Sequence, residues 1–220
     1  MKTVAIVYTS MGQYEKIKAL YAELAPELKL YHIIEDSMVG DLTDAGCASE
    51  AIVDRLRNYF KAGVRTGADV IMMMCSSVGG AAMQLQGEIP IPIIRVDSAM
   101  MSEALKHGTK IGMIGSLKTT LVPSTEHAYE IAKKEGKTIT VIESLAEGAH
   151  PALVAKNFDK HDELVMKSAK ELVAKGVDVI VLAQASLSRM EESIAKETGK
   201  PCVSSPRLGV LSVKKFLEKA

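Results

Sequence analysis

Tryptophan is absent from the 220 residues, and there are only three phenylalanines and six tyrosines. So few rings leave no aromatic platform of the kind that stacks nucleobases. An excess of charge of one sign is missing too: 27 Lys and Arg stand against 27 Asp and Glu, for a formal net charge of zero. A nucleic-acid or anionic-membrane partner needs a basic face, so neither is expected. No apolar run approaches the ~18 residues that a membrane span requires. The opening MKTVAIVYTS reads as a first strand; a secretion signal would need a longer apolar region and a small-residue cleavage site. Three cysteines, Cys47, Cys75 and Cys202, are too few and too scattered for a disulfide framework. Neither CxxC nor HxxxH spacing suggests zinc. A cytoplasmic protein with reduced thiols is expected. The dinucleotide fingerprint GxGxxG is also missing.

What is present is ordinary globular material, 47% hydrophobic and 25% charged. The length suits one large domain or two small lobes with a substantial core. Eight short apolar runs, at 3–8, 28–34, 69–75, 91–96, 110–115, 137–142, 178–183 and 201–205, read as strands buried on both faces. Amphipathic segments separate them, as in 48–63 (Ala51, Ile52, Leu56, Tyr59, Phe60) and 161–175 (Leu164, Val165, Ala169, Leu172, Val173). The alternation predicts an α/β doubly wound architecture with mainly parallel sheets.

The chain also repeats itself. Gly67-Ala68-Asp69-Val70-Ile71 matches Gly176-Val177-Asp178-Val179-Ile180, and Ile91-Pro92-Ile93 echoes Lys200-Pro201-Cys202, both at an offset of 109. Val4-Ala5-Ile6-Val7-Tyr8-Thr9 matches Ile111-Gly112-Met113-Ile114-Gly115-Ser116 at 107. Two similar lobes follow, expected as 1–96 plus 206–220 and 97–205, with the active-site cleft between them.

Ligand chemistry in such folds collects at strand carboxyl ends. Those positions hold Thr9, Ser10, Cys75, Ser76 and Ser77 in the first half, and Ser116, Thr119, Thr120, Gln184, Ala185 and Ser186 in the second. One thiol, several hydroxyls, one amide and the neighbouring backbone N–H groups suit a small carboxylate. Cys75 precedes SSVGGAAMQLQ, which reads as a helix start, a setting that lowers a thiol pKa; an inert buried cysteine is the competing reading. The hydroxyls could equally cap helices. Cys47 reads as a helix-start residue and Cys202 as core. His107, His127 and His161 read as solvated helix residues, His32 as a strand residue, and His150 as part of a loop, EGAHPAL. The segment IVYTSMGQYEKIKAL also resembles a flavin phosphate loop, but Thr9, Ser10, Gly12 and Gln13 supply less Thr/Ser and Gly-Asn than such a loop carries.

Several segments resemble the aspartate/glutamate/hydantoin racemase superfamily, whose two α/β lobes each end a strand with a cysteine in motifs such as ACNTA and LGCTE. MMMCSSVGG (72–80) resembles the first motif, with Cys75 as its thiol, and VLAQASLSRM (181–190) the second, with Gln184 in the cysteine's place. IGMIGSLKTTLVPST (111–125) resembles the I-G-x-x-x-T-x-x-T segment, and IPIIRVDSAMMSEAL (91–105) the segment joining the lobes. The resemblance implies two pseudo-twofold lobes, no cofactor, a small carboxylic acid as substrate and a homodimer.

Gln184 cannot titrate, so two-thiol racemisation is in doubt. It can still donate hydrogen bonds to a carboxylate or enolate oxygen. Cys75 would then be a single acid/base of a racemase-like isomerase or lyase. Alternatively it protonates an enediolate after decarboxylation, or attacks covalently in a cis-trans isomerisation. A carboxylate-binding protein without chemistry is the remaining reading.

Overall fold

A computed structural model of the protein describes residues 1–219. It divides into two compact units, Met1–Val96 together with the chain from Pro206 on, and Asp97–Ser205.

The first unit runs β1 (Thr3–Tyr8), α1 (Tyr14–Leu24), β2 (Lys29–Ile34), α2 (Met38–Ala45), α3 (Glu50–Arg65), β3 (Val70–Met73), α4 (Gly79–Gln84) and β4 (Ile93–Arg95). The second runs α5 (Ser98–His107), β5 (Lys110–Gly115), α6 (Lys118–Lys134), β6 (Thr140–Leu145), α7 (Ala149–Val154), α8 (Phe158–Ala174), β7 (Val179–Leu182), α9 (Glu191–Thr198) and β8 (Cys202–Ser204). The last helix, α10 (Ser205–Leu217), packs in the first unit. Each unit holds a four-stranded sheet, ordered β2-β1-β3-β4 and β6-β5-β7-β8. Every pairing is parallel.

Side-chain alternation places the layers. From β1, Ala5 and Val7 point to one face and pack with Ile52, Leu56 and Phe60 of α3. Val4, Ile6 and Tyr8 point to the other and meet Ile17 and Tyr21 of α1 and Val210 and Val213 of α10. Both faces are thus covered, as a parallel sheet demands, and β1 and β3 are buried along their whole length. In the second unit Ile114, Ile180 and Leu182 pack against Val165, Ala169 and Leu172 of α8, while α5 and α6 lie against β7 and β5. The doubly wound parallel architecture read from the alternation is the one observed.

All eight apolar runs contain a strand, but β6 starts three residues late, at Thr140 instead of 137. Gly136, at φ +67, ends α6, and Lys137 N–H bonds back to Ala132 O. Residues 137–139 therefore belong to the helix exit. The strand itself is an edge, half-exposed and carrying Glu143, so its apolar signal is diluted.

Three readings need correction. Cys47 does not start a helix; it lies exposed in the loop before α3, whose cap position is Ser49. His150 is helical, in α7. His127 and His161 are buried, at 4% and 0% exposure, not solvated.

Candidate functional site

In each sheet the two central strands end level with one another. Val7 pairs with Met73 and Met74 N–H donates to Val7 O; Ile114 pairs with Leu182 and Ala183 N–H donates to Ile114 O. The order β2-β1-β3-β4 puts the reversal of winding direction between β1 and β3, and the second sheet repeats it between β5 and β7. A doubly wound fold offers a binding position at the carboxyl ends beside this reversal.

In the first unit these ends carry Thr9, buried, and Ser10, half-buried, after β1. After β3 come Cys75, half-buried with extended backbone (φ −144°, ψ 118°), and the 3-10 turn Ser76–Val78. Ser76 is buried and Ser77 half-buried. The loop beyond β1 is tied down by Met11 N–H donating to Asp36 Oδ1 at 2.6 Å. Arg55 of α3 bonds Glu35, Asp41 and Ser37, holding the segment that leads into α2. Burial alone pushes the Glu35 carboxyl up, but hydrogen bonds from Ser37 and Arg55 outweigh it and hold the group below the usual carboxylate range. Nearby, Tyr8 Oη lies 3.0 Å from His32 Nδ1. Burial keeps His32 below its ordinary value, with Lys18 adding to the effect.

In the second unit Ser116 is buried after β5, and Gln184, Ala185 and Ser186 are half-buried after β7. Gln184 Oε1 accepts from both Ser116 N–H and Ser116 Oγ, the latter at 2.9 Å. A backbone N–H can only donate, so the amide orientation is fixed by chemistry: oxygen toward Ser116, Nε2 hydrogens on the other side. Ser116 is therefore no helix cap; α6 begins after Leu117, and Thr119 and the buried Thr120 lie in its first turn. Ser10 does precede the 3-10 turn Met11–Gln13, without a side-chain cap bond. Thus Thr9, Ser10 and Cys75–Ser77 gather at one pair of strand ends, and Ser116 and Gln184–Ser186 at the other. Thr119 and Thr120 sit one helical turn further on.

Cys202, partly buried in β8, packs against the core of the second unit, and burial, helped by Glu191, pushes its thiol far above the ordinary range. It is inert by that account. His161 occupies the α8 core stripe 109 residues beyond Ile52 of α3. Its Nδ1 lies 2.7 Å from Asp162 Oδ1, whose other oxygen meets Arg189 Nη2 at 3.0 Å. A carboxylate accepts, so Nδ1 carries the proton in the neutral ring and the buried Nε2, which has no hydrogen-bond partner, is bare. Among the described residues no group of three or more His, Cys, Asp and Glu side chains could hold a metal ion, and no helix is long and apolar enough to cross a membrane.

The sequence matches the family model for Asp/Glu/hydantoin racemase over residues 6–213. The chain belongs to that family. Its fold is that of glutamate racemase from Bacillus anthracis, with a TM-score of 0.76 at 16% identity over 99% of this chain and 82% of the other. Allantoin racemase from Pseudomonas fluorescens matches with a TM-score of 0.68 at 13% identity over 98% and 91%. A variant of arylmalonate decarboxylase matches with a TM-score of 0.62 at 15% identity over 97% and 92%. The sequence comparison with curated proteins finds no match. So the racemase-type fold spans the whole family member, and it houses more than one reaction among its relatives.

Proposed function

We propose that this family member is a cofactor-independent isomerase or lyase of small carboxylic acids, with Cys75 as its single thiol acid/base and Gln184 as an orienting donor. The observation that carries the reading is the fixed amide of Gln184. Ser116 holds Oε1 from two sides, which leaves Nε2 to donate. A donor aimed at a carboxylate or enolate oxygen stabilises the charge that develops when a Cα–H bond breaks. The proton itself moves to or from Cys75 Sγ, since the Gln184 amide does not titrate. The hydroxyls of Thr9, Ser10, Ser116, Thr119 and Thr120, and the N–H groups around Ser76, Ser77, Ala185 and Ser186, orient the acid. With a thiol on one side only, protonation falls on one face and handedness is retained.

Proton NMR in D₂O across amino acids, hydantoins, hydroxy acids and substituted malonates tests this, with Cys75→Ala as control and chiral analysis of any hit. Cys75-dependent Cα–H exchange or CO₂ loss, with one enantiomer formed, is expected. A product formed as a racemate would remove the one-thiol mechanism. Silence across the panel would sink the enzyme reading and leave a carboxylate-binding protein.

A further inference from the structure

Arg95 ends β4 and is 4% exposed. Its register partner is Met73, so its side chain leaves the sheet on the same face as Met73, two residues short of Cys75. The chain after Cys75 folds back over that face: the turn Ser76–Val78 delivers Gly79 as the first residue of α4. A Cβ on Gly79 would lie 2.3 Å from Arg95 Cζ, 2.4 Å from Nε and 2.6 Å from Nη2. The guanidinium therefore lies directly against the Cα of Gly79, and any larger residue there would have to displace it. A cation is expensive to bury, and the sequence spends a glycine to keep this one. At the equivalent places of the second unit, 109 residues on, stand Ser188 and Ser204. The cation and its glycine occur only in the half that carries the thiol.

We propose that Arg95 is a positioning residue for Cys75: its guanidinium, packed against Gly79, fixes the turn from Cys75 to Gly79 and so the direction in which the thiol is presented. This deepens the reading of Cys75 as the reactive group and rests on it. The broad, planar head group is the operative property, because a compact ammonium on a flexible stem does not fill the same space against Gly79.

Two measurements on the full chain test it, neither of which uses turnover. The first is backbone hydrogen exchange. In Arg95→Met and in Gly79→Ala, amides of residues 76–84 should exchange at least about tenfold faster, while those of β1 and β5 stay as in the wild type. The second is alkylation by iodoacetamide from about pH 6 to pH 10, read separately at each cysteine by peptide mass spectrometry. The exposed Cys47 is the internal reference. The Cys75-to-Cys47 rate ratio should change at least about threefold, with an altered pH profile, and Arg95→Lys should restore it only in part. Should Arg95→Met fail to fold, Gly79→Ala, which keeps every functional group, and the milder Arg95→Lys carry the test. Wild-type exchange in the variants would overturn the proposal. So would faster exchange with an unmoved Cys75 ratio, which would make Arg95 structural only, or a lysine as good as the arginine. Silence on the substrate panel would instead strike the function proposed above, whatever the exchange shows.

Discussion

The two units are built on one plan and differ in the side chains at their strand ends and in their cores. Asp69 N–H donates to Thr3 O and Asp178 N–H to Lys110 O; Glu35 N–H donates to Tyr8 O and Ala146 N–H to Gly115 O. Gly67 and Gly176, at φ +76 and +74, make the same left-handed turn into β3 and β7. The backbone therefore repeats while the side chains diverge. Cys75 corresponds to Gln184 at the 109-residue offset, Ile52 to His161 and Arg95 to Ser204. One divergence is compensated. In the first unit the helix gives up volume: a Cβ on Gly63 would lie 3.0 Å from Ala5 Cβ. In the second the strand gives it up: a Cβ on Gly112 would lie 3.0 Å from Leu172 Cδ1 and 3.1 Å from Val177 Cγ1. The glycine thus sits on the helix in one unit and on the strand in the other. The β4 divergence is accommodated in a related way, Arg95 lying against Gly79 where the second unit has Ser204 and Ser188.

The largest effect should come from erasing the strand-end difference. Cys75→Gln makes both ends alike, and any Cys75-dependent exchange should fall by about 10²–10⁴-fold, measured by the NMR assay. On the proposed mechanism the reverse change, Gln184→Cys, gives both pairs of strand ends a thiol and should turn a single-enantiomer product into a mixture. A product that keeps its handedness in Gln184→Cys would show that the second strand end does not reach the reacting carbon.

Next in size is the packing trade. Leu172→Ala should cost about 2–5 kcal/mol, because Leu172 is fully buried and fills the space over Gly112. Gly112→Ala alone should cost about 1–3 kcal/mol through overpacking. The double variant should be more stable than the sum of the two by about 1 kcal/mol or more, since the new methyl enters the new cavity. Denaturant melts of the four proteins give the answer; strict additivity would mean that the two sites do not share that space.

The strands were the legible part of this fold because burial on both faces writes them as apolar runs, and the strand ends were legible once the 109-residue repeat aligned Cys75 with Gln184. The edge strand β6 blurred because one of its faces meets solvent. His161 was misread although the signal was there: at 161, 165, 169 and 172 it falls on the apolar stripe of α8, yet its charged neighbours in DKHDELV hid it. Arg95 was not legible at all. An arginine inside IPIIRV reads as an interruption, and nothing in the linear order links it to Gly79, 16 positions earlier. That link exists only through the pairing of β3 with β4. The bond from Ser116 to Gln184, across 68 residues, is of the same kind.

The smallest effect concerns the acid just before β7. Asp178 Oδ2 accepts from Thr109 N–H at 3.0 Å and Lys110 N–H at 2.8 Å, whereas Asp69 Oδ2 accepts from Thr3 N–H alone, at 2.7 Å. Asp178→Ala should therefore destabilise more than Asp69→Ala, by about 1 kcal/mol or less, both losses falling in the range of one to two charged hydrogen bonds. The Lys110 N–H, with that of Thr109, holds the Asp178 carboxyl below its ordinary value against the opposing effect of burial. A depressed acid stabilises the fold fully above its unfolded pKa of about 4, and that contribution is lost as pH falls through the lower folded value. Urea midpoints of wild type and Asp178→Ala should hence differ at pH 7 and converge in the acid range below about pH 4. A gap that persists unchanged at low pH would assign the loss to packing around Gly108, where a Cβ would lie 2.6 Å from Asp178 Cγ, and not to the ionised carboxylate.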